Sequence, residues 1–148
     1  MRPDIVMAVD PGKMTGWAVW VPGEDDIKSG QSPWLDFLSR YESWISAVTF
    51  PTTVVERFTV GKETLKKTRQ YHALEAIGVL RYLSITRTSR DIILQTPAAA
   101  KSFSTSDKLK KLGWWPVGQD HAQDACRHML VYAAEHSAEL DFDLTQIM

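Results

Sequence analysis

The feature that most constrains this chain is a run of apolar residues that ends in an acid and then turns at once. Ile5, Val6, Met7, Ala8 and Val9 lead into Asp10, and Pro11, Gly12 and Lys13 follow directly. An unbroken apolar run of this length, rich in residues that suit extended backbone, reads as a buried strand. A carboxylate at the end of such a strand is expensive to bury unless something positive meets it. The fold must therefore bring a cation or a cationic side chain to the end of this strand, or leave that end open to water.

The remaining elements follow from periodicity and punctuation. Residues 11–14 make a turn and residues 15–21 a second strand, which closes a hairpin. Residues 27–31 form a weaker third strand. Pro33 starts a helix in which Trp34, Leu35, Leu38, Tyr41 and Ile45 recur at helical spacing. Pro51 stops it, and residues 52–58 form a fourth strand. Residues 60–69 are polar and basic with no apolar period. Residues 71–85 read as a strong helix, with Leu74, Ile77, Leu80 and Leu83 on one side. Ala73, Ala76, Val79 and Tyr82 spread further round the cylinder, more than one buried face needs. Gly78, in its middle, costs roughly 1 kcal/mol in helix propensity and suits a place where another backbone comes close. A fifth strand covers residues 91–95. Short helices begin at Pro97 and at Ser106, a turn spans residues 113–116, and a long last helix covers residues 120–135. A meander of strands followed by strands alternating with helices implies an α/β fold: a mixed five-stranded sheet between two layers of helices. With no repeat, low-complexity tract or linker, residues 1–148 are expected to form one domain.

Composition narrows the function classes. An apolar content of 44% and a charged content of 24% suit a soluble globular protein, and no apolar run approaches the roughly 18 residues of a membrane span. The acid at Asp4 and the early strand do not fit a signal peptide. Cys126, the one cysteine, has no internal partner, which fits a reducing, cytoplasmic setting. The net charge of −1 points to no partner, but the positive charges are grouped. Lys62, Lys66, Lys67 and Arg69 surround the single acid Glu63, and Lys101, Lys108, Lys110 and Lys111 have only Asp107 among them. Such groups read either as solvated helix faces or as patches for phosphates.

The acids carry the chemistry. Glu56 ends the apolar run Val54-Val55 much as Asp10 ends the first strand. His121 and Asp124 stand three residues apart on the last helix and share a face, while Ala122, Ala125, Met129 and Ala133 form a small apolar stripe that suits close packing on a sheet. His128 falls on the polar stripe one turn further on, either behind the site or exposed. Each residue also has a plainer role: Asp10 as a turn residue bonded to the Gly12 amide, Glu56 as a surface acid on an edge strand, Asp120 as a cap of the last helix. Taken together, ligands from three distant elements suit Mg²⁺ or Mn²⁺. Two such ions, about 4 Å apart, assist hydrolysis of a phosphodiester. Trp114 and Trp115 stand out in a chain with six tryptophans; they read either as packing beneath a turn or as a stacking platform for opened DNA.

These residues resemble a known family. Residues 7–18, with Asp10-Pro11-Gly12 and then Thr15-Gly16, are similar to the opening strand-turn-strand of the RuvC-type Holliday junction resolvases, bacterial or phage type, of the RNase H-like nuclease superfamily. Val54-Val55-Glu56-Arg57-Phe58 resembles their second motif, and His121-Ala122-Gln123-Asp124-Ala125 their last. The resemblance implies an RNase H-like α/β/α fold and a crossover junction endodeoxyribonuclease: a homodimer that binds a four-way DNA junction and nicks two strands symmetrically. It implies two Mg²⁺ ions per active site, with Mn²⁺ substituting, held by Asp10, Glu56, His121 and Asp124, with Asp120 as a supplementary ligand. Lys101, and Lys108 after it, would meet the scissile phosphate, with Asp10, Glu56, His121, Asp124 and Lys101 as the catalytic set. Phe58 would stack on bases, one place closer to Glu56 than the family pattern has its aromatic. Lys62, Lys66, Lys67 and Arg69 would hold the DNA backbone, and the apolar surplus of the 71–85 helix would be the dimer contact. The chain is also similar to RNase H-like enzymes that trim ribosomal RNA precursors, and a flap- or branch-selective nuclease is a near variant. From another class, a non-catalytic branched-DNA-binding protein would retain the basic patches but has no use for buried acids. The turn at Asp10-Pro11-Gly12 also faintly resembles the phosphate loop of sugar kinases and actin-type ATPases, which need a second, duplicated domain that 148 residues do not supply.

Overall fold

The computed structural model describes residues 2–58 and 71–148, so the basic residues Lys62, Lys66, Lys67 and Arg69 lie outside the described residues. Strands β1 (Ile5–Asp10), β2 (Met14–Trp20) and β3 (Lys28–Pro33) form an antiparallel meander. Helix α1 (Trp34–Ala47) leads to β4 (Pro51–Glu56), and α2 (Tyr71–Thr88) leads to β5 (Ile93–Gln95). Both of these strands run parallel to β1, giving a mixed five-stranded sheet in the order β3-β2-β1-β4-β5. Helices α3 (Pro97–Phe103) and α4 (Ser106–Leu112) precede the long α5 (Asp120–Glu135). The short α6 (Ser137–Leu140) and a 3₁₀ turn (Leu144–Ile147) follow it.

Alternation along β1 explains the three layers. Ile5, Met7 and Val9 point to one face, where they meet Phe37, Tyr41 and Ile45 of α1 and Leu80 of α2. Val6 and Ala8 point to the other face and pack against Ala125, Met129 and Ala133 of α5. The central strand is buried on both sides, which is why its sequence is continuously apolar rather than alternating. The Tyr41 hydroxyl lies 2.9 Å from the Thr53 hydroxyl in the first of these cores, so a buried polar pair is satisfied there.

Several boundaries differ from the sequence reading. The third strand is Lys28–Pro33 rather than 27–31, because pairing with β2 extends to its last residue. Pro51 opens β4 opposite Ile5, a position where a missing backbone donor is tolerated. The strand ends at Glu56, short of Phe58. The fifth strand keeps three residues, because Asp91 turns aside to accept from Arg81 and from the Ile92 amide. The Trp114 ring is buried against Trp20 and Phe142, with its Nε1 donating to the Asp25 carbonyl at 2.9 Å; it packs as a structural residue, not as a platform. Trp115 is half-buried, with Arg127 and Lys110 against its ring. Among the described residues, no helix is long and apolar enough to cross a membrane.

Candidate active site

The site is assembled on a single row across the sheet. Strand register aligns Gln31 of β3 with Gly16 of β2, and Gly16 with Asp10 of β1. The parallel pairing of Val9 with Val55 sets Asp10 beside Glu56 of β4, and Glu56 is in register with Gln95 of β5. Alternation puts Asp10 on the same face as Val6 and Ala8, and Glu56 on the face of Val54; this is the face that α5 covers.

Helix α5 crosses that row because the sheet makes room for it. A Cβ built on Gly16 would stand 1.9 Å from the His121 carbonyl oxygen and 2.7 Å from the Ala122 amide, so only glycine lets the first turn come this close. Gln31 accepts from the His121 and Ala122 amides at 3.0 and 3.4 Å, capping from another strand a helix whose own N-cap, Gln119, makes no side-chain bond. Asp120 is therefore not the cap. It lies exposed in the first turn, where its charge suits the helix dipole.

The side chains along the row meet in pairs. His121 Nδ1 lies 3.1 Å from Asp10 Oδ2, so Asp10 faces the helix and is not the turn residue; the Thr15 hydroxyl holds the turn instead, donating to the Gly12 carbonyl at 2.9 Å. At the other end, His128 is 1% exposed, with Nδ1 3.0 Å from Gln95 Oε1 and Nε2 3.5 Å from Glu56 Oε1. Asp124, between the two histidines on α5, lies 3.7 Å from Arg127. Among the described residues, no three His, Cys, Asp or Glu side chains stand together as a ready metal cage.

The electrostatics show what the pairs lack. Burial first, and then the Glu56 carboxylate beside it, push the Asp10 carboxyl up to about 9, with Asp124 adding to the rise and Lys101 opposing it. Burial would also raise Glu56, but contacts from His128 and Asp10, together with the Lys101 charge, outweigh it and hold Glu56 down at about 2. Asp124 is raised by burial and by the Glu56 charge. Two adjacent carboxyls thus share one proton, the state expected of an acid pair without a cation. A hard donor set of this kind fits a divalent ion such as Mg²⁺ or Mn²⁺, which would replace that proton.

A groove of about 510 Å³ opens onto the pair, lined among others by Lys13, Arg57, Phe58, His72 and Lys101. Lys101 and Phe58 thus line the groove beside the acid pair. Lys108 does not: its ammonium donates to the Phe103 carbonyl at 2.9 Å and lies over that ring. Neither does Asp120. Sequence reasoning missed Gln95, Gln31 and His72. The signal for Gln95 was present, since the fifth strand also ends in a polar residue on the row of Asp10 and Glu56. His72, half-buried and edge-on to Trp34, carries a ring nitrogen with no partner among the described residues.

The sheet order, the helix layers and the acid pair at the strand ends define an RNase H-like fold. Among solved structures the chain is similar to Thermus thermophilus RuvC in complex with a Holliday junction substrate, with a TM-score of 0.56 and 15% identity, covering 88% of this chain and 94% of that one. It is similar also to the Thermus thermophilus RuvC structure, with a TM-score of 0.52 and 16% identity, over 90% and 96% of the two chains. No family model matches the sequence, and no curated protein matches it. At this identity the likeness establishes the fold.

Proposed function

We propose that this chain is a metal-dependent, structure-selective endodeoxyribonuclease that nicks four-way DNA junctions symmetrically as a homodimer in the cytoplasm. One RNase H-like nuclease domain spans residues 1–148. The observation that carries this reading is the Asp10–Glu56 pair, Asp10 buried and Glu56 half-buried on adjacent strand ends, opening onto a groove that Lys101 also lines. The RuvC fold supports it, because one of the similar structures holds a Holliday junction substrate.

Asp10, Glu56 and Asp124 supply the oxygen donors, and His121 holds Asp10 from the helix side. When bound, two Mg²⁺ or Mn²⁺ ions supply Lewis acidity to the scissile phosphodiester and ease deprotonation of the attacking water. Lys101, close enough for its charge to act on Asp10, Glu56 and Asp124, binds the phosphate. Phe58 on the groove wall stacks on an unpaired base. Lys62, Lys66, Lys67 and Arg69 bind the flanking backbone. On α2 the outward face of Gly78, Val79, Tyr82 and Ile85 is exposed and forms the dimer contact.

The test is cleavage of a labelled four-way junction beside matched duplex, flap and single strands, with Mg²⁺, Mn²⁺ or a chelator. Paired symmetric nicks that need metal are expected. Asp10→Asn and Glu56→Gln should each lower the rate at least about 1,000-fold while junction affinity stays within about threefold. Cutting of flaps alone would move the substrate class and keep the metal site. Cutting of no substrate would leave a binding protein.

A further inference from the structure

His128 is a buried polar side chain whose ring is held at both ends. It is 1% exposed, on the third turn of α5, facing the strand ends of β4 and β5. Nδ1 stands 3.0 Å from the Gln95 side-chain oxygen, and Nε2 3.5 Å from Glu56 Oε1, a distance that suits an ion pair and is long for a hydrogen bond. The Gln95 amide nitrogen is buried with no partner among the described residues.

Turning the Gln95 amide over gives its buried nitrogen a partner: it donates to Nδ1, which leaves the ring's proton on Nε2, facing the Glu56 carboxylate. Glu56 is the last residue of β4, and besides His128 its carboxylate meets the Asp10 carboxyl and the Lys101 charge.

We propose that His128, locked by Gln95, is a positioning residue that holds the Glu56 carboxylate on the row beside Asp10 so that both present oxygens to the same cation. The device rests on the nuclease reading above. It divides the work along α5: His121 restrains Asp10 at the start of the helix, and His128 restrains Glu56 two turns later. Partners standing behind a metal ligand commonly change metal affinity by about 10- to 100-fold when removed.

The test compares His128→Leu, which fills the space without a donor, with His128→Gln, whose side-chain nitrogen can stand where Nε2 stands. Two quantities are read: the Mn²⁺ concentration that half-saturates the rise in melting temperature without DNA, and the Mg²⁺ concentration that half-saturates junction cleavage. His128→Leu is expected to raise both at least about tenfold while the rate at saturating metal falls much less, and His128→Gln to restore both to within about threefold. Gln95→Leu, which unlocks the ring but leaves it in place, is expected to move both the same way by a smaller factor. It decides the question if His128→Leu does not fold. Unchanged metal dependence in the folded variants, with the wild type responding to metal, overturns the role of His128 alone. A wild type that neither gains stability from Mn²⁺ nor cleaves with Mg²⁺ overturns this role and the nuclease reading together.

Discussion

Asp10 concentrates the energetics of this protein at a single carboxyl. Its pKa, raised from 3.8 to about 9 by burial and by Glu56, means that the folded chain holds this proton more tightly than the unfolded chain does. The stabilisation is fully present below the ordinary carboxyl pKa and is lost as pH rises toward 9. Glu56 acts in the opposite sense but in a lower window, between about 2 and 4.5, so near neutrality Asp10 dominates. The metal-free protein should therefore lose stability from pH 5 to pH 9. Asp10→Asn should flatten that slope and stabilise the metal-free protein at pH 8 by roughly 1–3 kcal/mol, read from urea melts. The same proton competes with a cation, so the Mn²⁺ needed to raise the melting temperature should fall close to tenfold per pH unit between about 6.5 and 8.5. A metal requirement independent of pH would mean that Asp10 is not displaced by the cation.

At the scale of elements, the decisive contact is between the first turn of α5 and the middle of β2. Gly16 has no side chain because the His121 carbonyl occupies that volume. Gly16→Ala should push the helix start off the sheet, break the His121–Asp10 contact and destabilise the fold by about 2–4 kcal/mol. Cleavage should fall far more than stability alone explains, which melts and rates measured on the same preparation will separate. A variant with wild-type rate and melting temperature would show that the helix start does not depend on this approach. The apolar stripe Ala122, Ala125, Met129 and Ala133 was legible as a packing face, and all four are fully buried. The burial of His128 was not legible, because it depends on the third turn of α5 meeting the ends of β4 and β5, which are distant in sequence. Nor was the cap from Gln31, since it joins residues that are distant in sequence.

For the molecule as a whole, α2 is the element left incomplete. Ala76, Leu80 and Ser84 are buried, while Val79, Tyr82 and Ile85 are 37, 67 and 46% exposed beside Gly78. If this face joins two copies, Tyr82→Asp should give a folded monomer by light scattering, with single nicks replacing paired ones; a monomeric wild type would refute the contact. The sequence alone determined the layered α/β architecture, because strand burial and helical period are written in local spacing. It also marked the acids that end two strands and the face shared by His121 and Asp124. The tertiary structure decided which residues meet. Register placed Gln31, Gly16, Asp10, Glu56 and Gln95 on one row, turned Lys108 toward Phe103, left Asp120 in solvent and buried Trp114. Those outcomes depend on strand pairing and helix crossing between residues far apart in the chain, and local periodicity carries no information about such distances.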